Sequence, residues 1–151
     1  MKQYDDRYFM NIALEEAKKA METGEVPVGA VIASGVGEII SSAFNTVEKD
    51  CSCIMHAEIK AILDAQKNLK NWRLDECSLY VTLEPCIMCC GAILLSRISR
   101  VVYGTIDPKG GSSSTILNDK IEVVSGVREE ESSLLLKLFF KSKREIPRFV
   151  K

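Results

Sequence analysis

The sequence lacks both a long hydrophobic run and a dominant charge. Its longest nearly unbroken apolar stretch, residues 87–95, is interrupted by a glycine and two cysteines and is far too short to span a bilayer. The 20 Lys and Arg residues are balanced by 21 Asp and Glu residues, which gives a net charge of −1. These absences exclude a membrane-spanning helix, intrinsic disorder driven by charge, and a uniformly basic surface of the histone type.

The chain also lacks the usual marks of targeting and of division into domains. Residues 1–6 have neither the apolar block of a signal peptide nor the acid-poor, Arg-rich composition of a transit peptide, so we expect a cytoplasmic protein with no membrane partner. No internal repeat, low-complexity segment or long linker is visible. A length of 151 residues, 46% of them hydrophobic, therefore favours one domain that spans residues 1–151.

Histidine is scarce, with one residue at position 56, whereas there are six cysteines. The cysteines are Cys51, Cys53, Cys77, Cys86, Cys89 and Cys90. In a small secreted chain they would indicate a disulfide framework, but nothing in the sequence indicates secretion. Clustered cysteines in a reducing compartment more often bind a metal or react, so they are the first functional lead.

Hydrophobic periodicity and turn residues predict helices and strands along the whole chain. Apolar residues recur at helical spacing over residues 6–23, and Gly24 is placed to end that helix. Residues 87–95, after Pro85, form a helix that is apolar all round and is expected to be buried. The other predicted helices span residues 57–68 and 128–144, and the predicted strands span 26–32, 38–42, 78–82, 100–103 and 122–124. Loops are predicted at 45–55 and, rich in Gly and Ser, at 109–115.

The order of these elements, α-β-β-α-β-α-β-β-α, indicates the fold class. The two strands around the turn at residues 34–37 form an antiparallel hairpin, whereas helices that alternate with single strands imply crossover connections. We therefore predict an α/β protein, a three-layer α-β-α sandwich with a mixed five-stranded sheet.

Two short segments, each at the start of a predicted helix, carry side chains that are suited to metal binding. His56 offers a neutral imidazole, and Cys86 and Cys89 offer thiolates one helical turn apart. The partial positive charge of a helix N-terminus favours the thiolate form. Three protein ligands leave the fourth position of a zinc ion open to water, so the segments predict a catalytic site with one Zn²⁺ per subunit.

Glu58 lies two positions after His56 and is the candidate catalytic residue. On an ideal helix the two side chains would point roughly 200° apart, but at a helix start both can converge on a site beyond the helix end. A carboxylate at that place can take a proton from water on the zinc ion and pass it to a substrate.

Simpler interpretations compete with this hypothesis. A lone histidine is usually a surface residue or a satisfied core residue, and buried cysteines often act as small apolar residues. A structural zinc site could use Cys90, Cys53 or Cys51 as a fourth ligand. Cys90 is also one turn from Cys86, so spacing alone leaves Cys89 and Cys90 as alternative ligands.

The two motifs together, His56-Ala57-Glu58 and Pro85-Cys86-x-x-Cys89, resemble the zinc-dependent nucleobase and nucleoside deaminases. Further segments are similar to the bacterial tRNA adenosine deaminases of the TadA type, and the likeness runs from about residue 8 to residue 144. These segments are residues 24–30, 82–86, 96–98, 104–109 and 139–140.

The resemblance implies a hydrolase that deaminates adenosine to inosine at the wobble position (34) of a tRNA anticodon. It implies that Cys89 rather than Cys90 binds zinc, and that Glu58 carries protons between water, N1 of adenine and the departing ammonia. It also implies a set of substrate-binding residues, in which one side chain packs on the purine and an amide hydrogen-bonds it. The set is Val28, Asn45, Ala57 and Glu84.

A homodimer that binds the anticodon arm of tRNA is implied as well. The charge distribution suits RNA, because residues 137–151 carry a strong excess of Lys and Arg over Glu145, although this polarity also simply complements the helix dipole. One of the two adjacent phenylalanines could stack on a splayed base, and burial is the alternative. The implied RNA-binding residues are Asp107, Lys109, Phe140, Lys143 and Arg144.

The sequence departs from the family pattern at two places. Ser52-Cys53-Ile54-Met55 stands where the family usually has Asp-Pro-Thr-Ala. The connection after Lys109 is short, and Asn118-Asp119 stands where many members have Asn-His. Both segments are expected to border the substrate.

Two other functions stay open at this point. A deaminase of free guanine, cytosine or cytidine would use the same zinc chemistry in a closed pocket, without a basic C-terminal helix. An inactive zinc-binding partner subunit is the alternative that is not an enzyme, and Glu58 counts against it because a structural site needs no proton carrier.

Overall fold

The structure of the protein is a computed structural model that describes residues 4–145. The end of the predicted basic segment, residues 146–151, lies outside the described residues, as do residues 1–3. The helices are α1 (Asp6–Glu22), α2 (Ala57–Leu69), α3 (Ile87–Leu95), α4 (Ser113–Ile116) and α5 (Glu129–Arg144). The strands are β1 (Gly29–Ala33), β2 (Ile39–Phe44), β3 (Ser78–Leu83), β4 (Arg100–Thr105) and β5 (Glu122–Val124).

The five strands form one mixed sheet in the order β2-β1-β3-β4-β5. Strand β1 is antiparallel to both β2 and β3, whereas β3, β4 and β5 run parallel. The carboxyl ends of the parallel strands therefore meet at one edge of the sheet, which is where ligands bind in many α/β proteins.

Alternate strand residues face two separate apolar cores, one on each side of the sheet. Val31, Tyr80 and Val102 pack with α1 on one side, where Leu135 of α5 also contributes. Their neighbours along the strands, among them Leu79 and Val101, pack with α2 and α3 on the other side. This arrangement confirms the predicted three-layer α-β-α sandwich, because each face of the sheet is covered by helices.

Helix α1 begins and ends where the sequence signals predict. The carboxylate of Asp5 accepts a hydrogen bond from the Tyr8 N–H at 2.9 Å and caps the first turn. Gly24 has φ +81°, a conformation that favours glycine, directly after the helix.

Strand β1 begins at Gly29 rather than at residue 26, so the predicted boundary was wrong. Pro27 has no N–H, and the N–H of Val28 bonds to the carbonyl oxygen of Val26 within the same segment. Residues 26–28 therefore do not join the sheet. Strand β2 also runs further than predicted, to Phe44, which pairs with Gly29.

Two further predictions about helices need correction. The segment 109–115 is not all loop, because the short helix α4 forms at Ser113, whose N–H and hydroxyl both bond to the carboxylate of Glu84. Helix α3 is not buried all round, since Ile87 and Leu95 are 67% and 72% exposed. Its other side is buried as predicted, through Ile93 and the two adjacent cysteines.

Within residues 4–145, none of the helices has the length and apolar character that crossing a membrane requires.

Candidate active site

The candidate site lies at the edge of the sheet where strands β3 and β4 end. His56 is the N-cap residue of α2, and Cys86 is the N-cap residue of α3. Both residues have extended backbone, with φ −69° and −76°, and neither side chain caps its own helix. The imidazole and the thiol are therefore free to project beyond the helix ends toward a common point.

The structure brings the three predicted metal ligands together. The sulfurs of Cys86 and Cys89 each lie 3.6 Å from Nδ1 of His56, and the three ligand atoms lie within 4.8 Å of one another. A tetrahedral zinc ion, bonded at about 2.0–2.1 Å to nitrogen and about 2.3 Å to sulfur, would hold its ligand atoms roughly 3.6 Å apart. The donor types and their spacing thus fit a zinc ion.

Cys90, the alternative that spacing leaves open, points elsewhere. Its thiol contacts the carbonyl oxygen of Pro85 at 3.6 Å inside the core, and burial raises its pKa to about 12. Cys51 and Cys53 are exposed. Among the described residues, the group that could hold a metal contains only His56, Cys86 and Cys89, so the geometry gives no support to a fourth sulfur ligand.

Glu58 lies in the first turn of α2 and is 4% exposed. Burial raises the pKa of its carboxyl group, while a hydrogen bond with Cys89 and the charge of His56 act in the opposite direction. Burial also raises the pKa of the Cys89 thiol, and the charge of Glu58 adds to that rise. A carboxyl group in this position, beside the candidate ligands and shielded from bulk water, is suited to carrying a proton.

A cavity of about 900 Å³ opens above these residues. All four residues that the resemblance implies as substrate-binding line it, together with His56, Glu58 and Cys86. They are Val28, Asn45, Ala57 and Glu84. The four residues implied by the resemblance thus lie on the wall of one cavity, and their contact with a substrate stays a prediction.

Both polar atoms of the Asn45 side-chain amide form hydrogen bonds with backbone groups. Its Nδ2 donates to the carbonyl oxygen of Val26 at 3.2 Å, and its Oδ1 accepts from the N–H of Val47 at 3.3 Å. One amide hydrogen and one lone pair remain for a ligand, since a primary amide has two donors and two acceptor sites.

The carboxylate of Glu84 is engaged by the segment that follows β4. Its Oε1 accepts from the N–H of Asp107 at 3.2 Å, and its Oε2 accepts from the N–H and hydroxyl of Ser113. A Cβ atom at position 111 would lie 2.1 Å from Oε1, so only glycine fits there. Glu84 borders the first cavity, but its hydrogen bonds in this structure go to the segment after β4 and hold that segment in place.

A second cavity of about 1060 Å³ adjoins the first. All five residues that the resemblance implies as RNA-binding line this second cavity: Asp107, Lys109, Phe140, Lys143 and Arg144. Three of them, Asp107, Phe140 and Lys143, line the first cavity as well. The predicted set is thus gathered along one continuous groove that leads to the candidate metal ligands.

The two adjacent phenylalanines of α5 have different surroundings. Phe139 is buried, at 8% exposure, and the Nζ of Lys143 lies 5.4 Å from its ring centre. Phe140 is 47% exposed and packs edge to face on Phe139, with ring centres 5.3 Å apart. Phe140 is therefore the ring that is available to a partner, as the prediction requires.

Several residues that line the first cavity were not predicted as site residues, among them the polar residues Thr23, Glu25 and Glu48. Glu25 stands inside the motif at residues 24–30, but nothing in that motif shows that its carboxylate is buried. Only the fold brings residue 25 next to residues 48 and 49.

Comparisons with known sequences agree with the geometry. Residues 3–105 match the cytidine and deoxycytidylate deaminase zinc-binding region. A tRNA-specific adenosine deaminase of Bacillus subtilis is 49% identical over 148 residues, covering 93% of this chain and 91% of the relative. A tRNA-specific adenosine deaminase of Aquifex aeolicus is 46% identical over 144 residues, covering 91% of this chain and 95% of the relative.

Comparisons with solved structures give the same result. A structure from studies of A-to-I editing by tRNA:A34 deaminases at the wobble position superposes with a TM-score of 0.81 and 40% identity, covering 85% of this chain and 99% of that one. A guanine deaminase from Nitrosomonas europaea superposes with a TM-score of 0.82, covering 92% of this chain and 86% of that one, but is only 22% identical. The latter likeness concerns the fold alone.

Proposed function

Because the chain belongs to the zinc-binding cytidine and deoxycytidylate deaminase family, we propose that it deaminates adenosine to inosine at the wobble position of a tRNA anticodon. The relatives that match nearly its whole length act, by their names, on tRNA adenosine. The observation that carries the chemistry is the cluster of His56, Cys86 and Cys89 beside the buried carboxyl group of Glu58.

The metal in this proposal is one Zn²⁺ per chain, held by Nδ1 of His56 and the sulfurs of Cys86 and Cys89. A zinc ion with an open position supplies a water nucleophile at neutral pH by lowering the pKa of that water to about 7. The two helix N-termini favour the anionic form of the cysteine ligands.

Glu58 is the proton carrier in this proposal. It accepts one proton from the attacking water and delivers it to N1 of adenine. It then takes the remaining proton from the new hydroxyl group at C6 and passes it to the departing amino group, so that adenosine and water give inosine and ammonia. Its burial keeps bulk water from competing for that proton.

The walls of the first cavity orient the base. Val28 offers an apolar surface for the purine, Asn45 offers its remaining amide hydrogen and lone pair, and the first-turn N–H of Ala57 points out of the N-terminus of α2. Glu84 supports the wall on the other side through the segment after β4.

The groove beyond the first cavity is proposed to receive the anticodon arm. Lys109, Lys143 and Arg144 place positive charge along it, and Phe140 presents an exposed ring on which a flanking base can stack. The balanced net charge of the chain is compatible with this role, because the basic residues are concentrated beside the cavity.

We further propose a homodimer that pairs through the outer face of α3. Ile87 and Leu95 are the most exposed large apolar residues of the described chain, and they flank Gly91 on one side of that helix. An apolar stripe of this kind favours burial against a second copy related by two-fold symmetry.

The decisive experiment compares substrates. Purified zinc-loaded protein is incubated with an anticodon stem-loop that carries adenosine 34, with free adenosine, with guanine and with cytidine, and the products are identified by mass spectrometry. We expect inosine in the stem-loop and little turnover of the free compounds. Turnover of guanine or cytidine without turnover of the stem-loop would instead establish a deaminase of free bases or nucleosides.

The variant E58A separates an enzyme from an inactive zinc-binding subunit. We expect the zinc content to stay at the wild-type level and the deamination rate to fall by about 10²–10⁴-fold, since a positioned proton carrier contributes that much. If E58A and the wild type deaminate the stem-loop equally fast, the role of Glu58 is refuted.

A further inference from the structure

Glu25 is a buried carboxylate that the proposed reaction does not use. It lies between α1 and β1, is 1% exposed and borders the first cavity. Its Oε1 accepts a hydrogen bond from the N–H of Glu48, and its Oε2 accepts one from the N–H of Lys49, both at 2.9 Å. Burying a charge is costly unless it is hydrogen-bonded, so both bonds are needed to keep this carboxylate in place.

The two amides belong to the segment between β2 and α2, residues 45–56. The preceding amides of this segment are bonded otherwise: the N–H of Asn45 donates to the carbonyl of Val28, and the N–H of Thr46 donates to the carbonyl of Met55. For Glu48 and Lys49, the acceptor is a side chain 23 and 24 residues earlier in the chain. Glu25 therefore ties the middle of this segment to the chain between α1 and β1.

Four residues of the 45–56 segment line the first cavity. Asn45 begins the segment, Val47 and Glu48 follow, and His56 ends it. Bonds within the segment, such as that from the N–H of Ser52 to the carbonyl oxygen of Val47, hold its shape. The two bonds to Glu25 add an attachment of its middle to the chain before β1.

From these contacts we infer that Glu25 is a positioning residue, which fixes the 45–56 segment as the wall of the cavity that receives the base and its flanking nucleotide. The inference rests on the proposed function. Glu25 acts through the backbone of Glu48 and Lys49 and touches none of the groups that carry the reaction. A displaced wall weakens substrate binding before it disturbs Glu58, Cys86 or Cys89, which lie in or at the start of α2 and α3. His56, at the end of the segment, is also held by α2, because its carbonyl oxygen accepts a hydrogen bond from the N–H of Lys60 at 3.1 Å.

The first variant is E25Q, which keeps the size of the side chain but turns an amide NH₂ toward one of the two N–H groups. We expect KM for the adenosine-34 stem-loop to rise about tenfold, because one charge-assisted hydrogen bond is lost, while kcat and zinc content stay within twofold of the wild type. The second variant, E25D, keeps the charge but is one methylene too short to reach both amides, and the same rise in KM is expected.

Hydrogen exchange provides a readout that a purely structural role would not give. In E25Q the amides of Glu48 and Lys49 should exchange at least tenfold faster, whereas the amides of β3 should keep their wild-type rates. The matched control is E16Q, because Glu16 is also buried, at 7% exposure, and accepts from the Nζ of Lys19 within α1. E16Q should leave both KM and the exchange of the 45–56 segment unchanged.

The outcomes distinguish this inference from the proposed function. If the wild type makes no inosine, the proposed function fails, and the exchange data still report whether Glu25 holds the segment. If the wild type is active and E25Q and E25D show wild-type KM and exchange, the inference is overturned. It is equally overturned if both variants lose the whole fold, since Glu25 would then be a structural residue.

Discussion

Cys89 and Cys90 are adjacent in the chain, but the sulfur of Cys89 lies beside His56 whereas the thiol of Cys90 contacts the carbonyl oxygen of Pro85. Replacing each residue in turn can separate their roles. We expect C89A to lose most of its zinc after dialysis against a weak chelator, because one of three protein ligands is gone. C90A should keep a full complement of zinc and lose about 1 kcal/mol of unfolding free energy, since it leaves a small gap in the core. Metal analysis and urea unfolding measure the two effects. Equal loss of zinc in both variants would contradict the ligand assignment.

The same pair of residues shows how far the sequence could predict the site. The spacing of Cys86 and Cys89 predicted that both can face one metal, because helix geometry is regular. That His56 joins them was predicted from the combination of the two motifs, since nothing local brings residue 56 next to residue 86. Spacing could not choose between Cys89 and Cys90, since each lies one turn from Cys86. The choice depends on how α3 is rotated against the core, which is a tertiary property.

The hydrogen-bond partners of the Glu25 and Glu84 carboxylates could not be predicted either, for a related reason. Each accepts backbone N–H groups from a segment 23 or more residues away along the chain. A backbone N–H is present at every residue except proline, so sequence carries no signal for such a bond. Glu84 was predicted to contact substrate, and that remains a prediction, but its hydrogen bonds in the structure go to the segment after β4.

At the scale of the elements, an ion pair joins α1 to β4. Arg100 donates to both carboxylate oxygens of Asp6 at 2.7 and 2.8 Å, and the hydroxyl of Tyr80 donates to the same carboxylate at 3.0 Å. The hydrogen bond from Arg100 is the main reason that the pKa of Asp6 lies below its ordinary value of 3.8. Burial and the nearby carboxylate raise the pKa of Tyr80 to about 12.

The ion pair between Asp6 and Arg100 predicts that the unfolding free energy depends on pH. Because the pKa of Asp6 is lower in the folded state, its carboxylate stabilises the fold above pH 3.8, and this contribution is lost as the pH falls through the folded pKa. D6N should lower the unfolding free energy at pH 7 by about 1 kcal/mol, a modest figure because the pair is partly exposed. The unfolding free energy of D6N should also fall less between pH 5 and pH 3 than that of the wild type.

Urea titrations at several pH values check this prediction, and D75N is its matched control. Asp75 pairs with Arg73 on the open surface, so its replacement should leave the stability curve unchanged within error. A D6N curve parallel to the wild-type curve between pH 5 and pH 3 would show that Asp6 does not carry the effect.

The close contact of α1 with β1 predicts that a side chain larger than that of glycine at position 29 destabilises the fold. A Cβ atom at Gly29 would lie 1.9 Å from the carbonyl oxygen of Ala13, so G29A must push the helix away from the sheet. We expect a loss of about 1–3 kcal/mol in the unfolding free energy, as is typical of overpacking. Gly91, in the middle of α3, has no atom of its own chain within 4 Å of such a Cβ, so G91A should not destabilise the fold of the single chain. Equal unfolding midpoints for the two variants would argue against this close contact.

Most elements could be predicted because their signals are local. The periodic helices α1, α2 and α5 and the five strands all occur, and the crossover argument gave the correct layers. Helix α4 was missed because it is a single turn whose start is held by Glu84 from another part of the chain. The exposed side of α3 was missed because apolar composition alone cannot tell a core helix from a helix with an interface.

At the scale of the whole molecule, the fold joins the cavity above the candidate metal ligands and the proposed RNA groove into one surface. Helices α2 and α3 bring the ligands from one side of the sheet, while the C-terminal half of α5 reaches over from the other side with Phe140 and Lys143. The segments after β2 and after β4 form the walls between them, each held by one buried carboxylate. The substrate cavity is thus built from both layers of helices.

The proposed dimer gives the prediction that belongs to this scale. The stripe of Ile87, Gly91 and Leu95 begins at the residue after Cys86, so a second copy seated on it would lie next to the candidate site. We expect the wild type to have twice the chain mass of 16.8 kDa in light scattering, because an apolar helix face of this exposure is stabilised by burial. L95K should shift the protein to the monomer, since it places a charge within the interface.

The matched control is L138K, because Leu138 is also exposed, at 46%, but lies on α5 on the opposite side of the sheet. It should leave the dimer intact. A wild-type protein that stays monomeric at micromolar concentration, or dissociation by L138K rather than by L95K, would refute pairing through α3. If L95K is a folded monomer with normal zinc content and reduced deamination of the stem-loop, the dimer contributes to RNA binding rather than to stability, because the ligands and Glu58 all belong to one chain.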